Sequence, residues 1–258
     1  RYDNLLICWA VTFFMFVGGI GFSVIIYFAS GHIRKALQNT EFKVYAAILA
    51  LSGIAVTIAV YASSDTSQPF FRTLTYGMFN TVSIMTTTGF MCDDYQKWLP
   101  MTHSIFFILM IIGGCSGSTS GGIKVSRLIL SYGLCRNHIE KSFRPRVVRP
   151  VRINGKIIDE DDAYEVLSYV TMFVLIVMVS ILAISFFETD LELSESITAV
   201  ISLINNVGPG VDRIGPAENY GFMNGASKIF LSILMIMGRL EFYAVLALFM
   251  PSLWRKFQ

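Results

Sequence analysis

The groups best placed to do chemistry are backbone carbonyls. Thr86, Thr87, Thr88 and Gly89, followed by Phe90, end a short apolar run inside a membrane-like sequence. Hydrocarbon offers no hydrogen bonds to exposed backbone, so irregular chain at that depth survives only when buried in protein or lining a watery cavity. A glycine after several threonines suits a strand-like turn whose carbonyls face inward, where a ring of oxygens replaces the hydration shell of a cation. A threonine-rich helix end is the plainer reading. A second copy favours the first. Residues 201–210 are again a short apolar run, ending in a polar bend that holds Asn206, Val207 and Gly208. Repeats of this kind are typical of channels and transporters whose site lies between the units. Gly89 and Gly208 are expected at backbone angles that a side chain would resist.

Two further stretches stand out. Residues 113–122 hold Gly113, Gly114, Gly117, Gly121 and Gly122 with Ser118 and Thr119 among them, in mid-span. Each glycine costs about 1 kcal/mol in a helix interior relative to alanine, so the run predicts a break or loop, with helix resuming at Ile123 and carrying Lys124 and Arg127 to the cytoplasm. It is not a phosphate loop, because Ile123 separates glycine from Lys124 and no strand precedes it. Nor does it hold Gly-x-Ser-x-Gly, which sets aside a hydrolase. In the last apolar segment, 226–250, Arg239 and Glu241 stand at membrane depth. At about 1.5 Å per residue Arg239 is roughly 20 Å into a core of about 30 Å. A charge there faces water or protein and is functional by default. The alternative is an internal pair with Glu241 or with carbonyls.

The elements that position these groups follow from composition. Hydrophobic residues make up 54% and charged residues 15% of the 258 residues, against about 25% charged in soluble domains, which predicts an all-α polytopic membrane protein in contact with membrane lipid. A formal net charge of +2 gives no reason to invoke nucleic acid. No cleavage signal is read at residues 1–3, so the chain is expected to open into a span over 5–30. Gly18, Gly19 and Gly21 within it suggest close packing or a flexible point, packing being the preferred reading. Arg34, Lys35 and Lys43 place the next loop in the cytoplasm. A second span is expected over 42–61, a short helix over 70–85, re-entry from 101, a basic segment over 136–156 with seven Lys/Arg, a span over 164–187 and a second short helix over 194–204. Asn154 and Gly155 suit a tight turn in a small hairpin. Asp190, Glu192 and Glu195 are expected at an outer mouth, concentrating cations or simply solvated. Four cysteines lack CxxC spacing, so neither a disulfide framework nor a zinc site is indicated.

These residues resemble the Trk/Ktr/HKT superfamily of potassium uptake proteins. Thr86 to Phe90 is similar to that family's third filter segment, Asn206 to Gly210 to its fourth, residues 113–124 to its intramembrane loop, and Gly238-Arg239-Leu240-Glu241 to its last inner helix, where the arginine projects beneath the filter. The family has four repeats of outer helix, pore loop and inner helix. Here there are two, at 41–135 and 161–258, with 1–40 resembling the inner helix of a preceding repeat and 136–160 a basic cytoplasmic loop. The resemblance thus implies a missing N-terminal half with the first two pore repeats, a homodimer, a cytoplasmic nucleotide-binding regulatory subunit and the bacterial inner membrane.

The expected function is potassium uptake through a channel-like pore. Thr86, Thr87, Thr88, Gly89, Asn206, Val207 and Gly208 bind the ion, with K+ at Thr87, Thr88, Asn206 and Val207. Gly113, Gly114, Gly117, Ser118, Thr119, Gly121, Gly122, Lys124 and Arg239 gate it. An enzyme is disfavoured, since no other acid or histidine pair recurs at membrane depth. A non-conducting adaptor working through the basic loop is the remaining alternative.

Overall fold

The computed structural model describes residues 4–63, 69–144, 152–153, 156–157, 160–240 and 242–248. The chain opens with α1 (Leu5–Gly18) and α2 (Phe22–Ala29), followed by α3 (Ile33–Gln38) and α4 (Thr40–Ala62). The first helix–loop unit holds α5 (Phe70–Met85), a 3-10 turn at Tyr95–Lys97 and α6 (Pro100–Ile111), and α7 (Val125–Phe143) follows the glycine-rich stretch. Two short strands, β1 (Arg152–Ile153) and β2 (Lys156–Ile157), pair antiparallel with Arg152 opposite Ile157. The residues expected to make the turn between them, Asn154 and Gly155, lie outside the described residues, as do Arg146 and Arg149 of the basic segment. The second unit comprises α8 (Glu160–Phe187), α9 (Leu193–Ile204), α10 (Gly225–Leu240) and α11 (Phe242–Leu248).

α4 and α8 are each long and apolar enough to cross a membrane. α4 starts where Asn39 accepts the Phe42 N–H at 3.0 Å, satisfying one of the donors a helix start leaves open. It packs on α5 through small residues: a Cβ on Gly77 would meet the Thr57 side chain and backbone, and one on Gly53 would meet Met78. α8 presents Leu175, Met178, Val179, Leu182 and Phe186 outward, an apolar exterior that suits lipid or further protein.

The single span expected over 5–30 is corrected to two helices, α1 and α2, bent by 112°. The glycines there permit both a break and a close approach. Cys115 N–H donates to the Gly19 carbonyl at 2.9 Å, Phe22 N–H to Gly117 at 3.1 Å and Thr119 N–H to Gly18 at 3.3 Å. Backbone groups freed by the bend are therefore satisfied by the glycine-rich loop, the condition under which a broken helix is tolerated at depth. In the last apolar segment, likewise, two helices are described, α10 and α11. Helix resumes after the loop at Val125 rather than Ile123, because Ile123 bridges to the end of α6: its N–H donates to the Ile111 carbonyl at 3.0 Å and its carbonyl accepts from Gly113 at 2.9 Å.

The outer-mouth reading of Glu195 is also corrected. Its side chain is buried; one oxygen accepts the Glu192 N–H at 3.0 Å and the other the Arg213 N–H at 3.1 Å. Glu192 and Glu195 form a capping box at the start of α9, where negative charge also complements the helix dipole.

Candidate ion-coordinating site

The loops that follow α5 and α9 obey the same local rules. Each helix stops at a residue just outside helical geometry, Thr86 or Asn205. The next residue is left-handed, Thr87 at φ 54° and Asn206 at φ 57°, and two residues on stands a glycine at positive φ, Gly89 at 73° and Gly208 at 108°. Left-handed backbone costs about 1–2 kcal/mol for a residue with a side chain, and a β-branched threonine there is an outlier. The same strain at equivalent positions of two copies points to function.

A serine clamps each loop at both ends. Ser83 accepts the Thr88 N–H on its carbonyl at 2.9 Å and donates its hydroxyl to the Phe90 carbonyl at 2.6 Å; Ser202 accepts from Val207 at 2.8 Å and donates to Pro209 at 2.7 Å. Among the described residues, the carbonyls of Thr86, Thr87, Thr88, Asn205, Asn206 and Val207 accept no hydrogen bond, whereas those of Phe90, Gly208, Pro209 and Gly210 do. Backbone carbonyls inside a protein are ordinarily paired, so these two runs of three exceptions, one on each loop, form a set of oxygens open to a cation. The negative ends of the α5 and α9 dipoles add to the attraction. The loops touch at Gly89, where a Cβ would run into the Val207 carbonyl.

On the outer side the two units are latched together. Tyr95 donates its hydroxyl to the Gly210 carbonyl at 3.2 Å and Gln96 its amide to the Asp212 carbonyl; within the second unit Tyr220 donates its hydroxyl to Gly208 at 2.7 Å. Burial pushes both phenols well above their usual range; Tyr220 and Asp94 add to it at Tyr95, and the Ser202 hydrogen bond opposes it at Tyr220. Both therefore remain protonated donors. Behind the first loop the Asn80 side chain donates to the Asp93 carbonyl at 3.1 Å and accepts from Cys92 N–H at 3.3 Å.

On the opposite side lies the irregular stretch 112–124. Its Gly117 and Gly122 are left-handed. A Cβ on Gly113 would meet the Gly121 carbonyl, and one on Gly121 the Asn205 carbonyl. Gly121 N–H donates to Thr87 Oγ1 at 2.8 Å, so the loop is hydrogen-bonded to the strained threonine itself. Inside the loop Ser120 Oγ accepts the Gly114 N–H at 2.8 Å and lies 2.8 Å from the Ser118 hydroxyl, while Lys124 donates to the Ser120 carbonyl. Arg239 donates to the Thr119 carbonyl. Glu41 ties the interior of the stretch to the start of α7: one carboxylate oxygen accepts the N–H groups of Ser116 at 2.5 Å and Ser126 at 3.1 Å. α10 supports the second loop, with Asn206 Nδ2 donating to the Met235 carbonyl at 3.0 Å and Gly238 set against the Ile204 carbonyl.

All sixteen residues singled out from the sequence thus fall on the two loops, the irregular stretch or α10. Arg239 sits in the last turn of α10, not mid-way along an unbroken helix, and its acceptor is Thr119. The suggested partner Glu241 lies outside the described residues. Sequence reasoning missed Glu41, Asn80, Asn205, Tyr95, Tyr220 and the two serines. Only the serines carried a signal, since Ser83 and Ser202 stand three residues before Thr86 and Asn205 respectively.

The fold and the twin loops define an all-α polytopic membrane protein of the cell membrane, built on repeated helix–loop units. Within that class the chain belongs to the TrkH family of cation transport proteins, which matches residues 1–256. A Trk system potassium uptake protein, TrkI of Halomonas elongata, is 33% identical over 249 residues, 96% of this chain and 50% of its own length. The Escherichia coli potassium uptake protein TrkH is 27% identical over 256 residues, 99% of this chain and 52% of its own. The crystal structure of the potassium transporter TrkH from Vibrio parahaemolyticus superposes with a TM-score of 0.89 at 26% identity, covering 98% of this chain and 54% of that one. The chain spans about half the length of the curated relatives it matches.

Proposed function

We propose that this chain supplies two of the four pore units of a potassium uptake protein of the inner membrane, and that the dehydrated ion is held by the carbonyls around Thr87, Thr88, Asn206 and Val207. The observation that carries the reading is the pair of loops with matching left-handed residues and six carbonyls left without donors. In a channel-like pore such oxygens replace water around the ion. Residues 113–122 are the gate beneath them, held by Glu41, Lys124 and Arg239. The remaining two units belong to an N-terminal half, and the whole works as a homodimer under a cytoplasmic nucleotide-binding subunit. The test is potassium flux in liposomes carrying the full-length protein: flux that depends on protein supports the reading, and liposomes no leakier to potassium than empty ones would remove it.

Glu41 gives a sharper check on the gate. Glu41→Gln keeps the shape of the side chain and removes the charge that assists two backbone hydrogen bonds, each worth about 1.5–3 kcal/mol when one partner is charged. Potassium flux of the full-length variant should rise without loss of yield. Flux equal to the parent's at equal yield would take Glu41 out of the gate.

A further inference from the structure

Two of the cysteines, 84 positions apart, meet: Cys8 Sγ and Cys92 Sγ lie 2.8 Å from one another, both side chains buried. A disulfide bond is about 2.05 Å long, so the two sulfurs are within an ångström of bonding distance and closer than unbonded sulfur atoms comfortably sit. Neither is on a mobile tail. Cys8 lies in α1, whose next residue, Trp9, donates its indole N–H to Thr75 Oγ1 on α5 at 3.1 Å. Cys92 is fixed by the Asn80 amide at 3.3 Å. The contact is therefore imposed by the packing of α1 on α5.

Sidedness decides the chemistry. Arg34 and Lys35 between α2 and α4, with Lys43 in the first turn of α4, mark this part of the chain as cytoplasmic, and with α1 and α2 crossing as one broken span α1 begins at the other face. Cys92 lies in the return after the threonine loop, on the side away from Glu41, Lys124 and the irregular stretch. Both thiols belong to the outer half of the protein, facing a compartment in which disulfides form and persist.

We propose that Cys8 and Cys92 are joined by a disulfide in the mature protein. The two thiols lose two protons and two electrons, and the acceptor is a disulfide-bearing thiol oxidoreductase of the outer compartment. The Cys92 thiolate attacks the donor disulfide and expels one donor thiolate. The Cys8 thiolate then attacks Cys92 Sγ in the mixed disulfide and expels the second, so the S–S bond forms and the donor leaves as a dithiol. The exchange takes place before α1 closes over Cys92, since both sulfurs are inaccessible afterwards. The bond staples α1 to the back of the first carbonyl loop, through the residue that Asn80 already holds. It does not depend on which ion the protein carries. Cys115, buried in the irregular stretch, and Cys135, exposed on α7, lie towards the other face and remain thiols.

The experiment is a thiol map of the full-length protein. Intact membranes are treated with N-ethylmaleimide, solubilised without reductant, denatured in fresh N-ethylmaleimide, digested and analysed by mass spectrometry. The expected result is a joined pair of peptides holding Cys8 and Cys92, lighter than the sum of the two reduced peptides by two hydrogen atoms and separated by dithiothreitol, with Cys115 and Cys135 alkylated throughout. Cys8→Ser should make Cys92 alkylatable without reduction, and Cys92→Ser should do the same for Cys8. Alkylation of both Cys8 and Cys92 in the unreduced parent overturns the proposal whether or not either variant folds.

Discussion

Replacing Gly89 with serine is expected to lower the potassium-to-sodium flux ratio of the full-length protein further than the same change at Gly208. At Gly208 the cost is conformational: φ is 108°, and a Cβ would meet nothing within 4 Å. Backbone held in so sparse a region costs on the order of 1–3 kcal/mol for a residue with a side chain. The loop can relieve this by turning, at the expense of the Gly208 carbonyl's bond from Tyr220. At Gly89 φ is 73°, closer to what a side chain tolerates, but the added atom runs into the Val207 carbonyl, one of the proposed ligands. Serine there displaces an oxygen of the other loop as well as straining its own. Parallel liposome measurements on the two variants check this; equal and unchanged ratios in both would remove the two glycines from the site.

Arg239→Ala is expected to raise cation flux while leaving the potassium-to-sodium ratio where it was. The guanidinium donates to the Thr119 carbonyl, and a hydrogen bond with one charged partner is worth about 1.5–3 kcal/mol. Losing it shifts a two-state gate by about one to two orders of magnitude. The same substitution also removes an electrostatic barrier to cations beneath the carbonyls. In the proposed arrangement, selectivity is set by oxygens that Arg239 does not touch. If the arginine were chiefly a structural partner of a buried carboxylate, its removal would strand that group and cost about 3–5 kcal/mol, read as lost yield. Yield and flux measured together separate the two, and a poorly folded, inactive Arg239→Ala would contradict the gating role.

The two helix–loop units were legible because they rest on composition. An apolar run too short and polar to cross, ended by threonines or asparagines and a glycine, marked α5 to its last residue and α9 to within one. Gly89 and Gly208 were legible for the same reason, since positive φ is what glycine supplies cheaply. Thr87 was not, because a β-branched residue argues against the left-handed region, and what holds it there is the Gly121 N–H, 34 positions away. The bend between α1 and α2 was hidden likewise: its broken backbone is satisfied by Cys115, Gly117 and Thr119, about a hundred positions downstream. Glu195 read as an outer-mouth acid because local charge is visible in a sequence and burial is not. Glu41, at the start of an apolar span, resembled an ordinary helix-start acid, and its two backbone partners become neighbours only once the glycine-rich stretch folds back on itself.

Thallium is a potassium mimic whose anomalous scattering locates it directly, so a crystal structure of the full-length protein grown in thallium tests the central claim most plainly. The account predicts anomalous peaks on the axis between the loops, within direct coordination distance of the carbonyls of Thr87, Thr88, Asn206 and Val207. Peaks elsewhere in the protein, with those carbonyls facing water or protein donors instead, would contradict it.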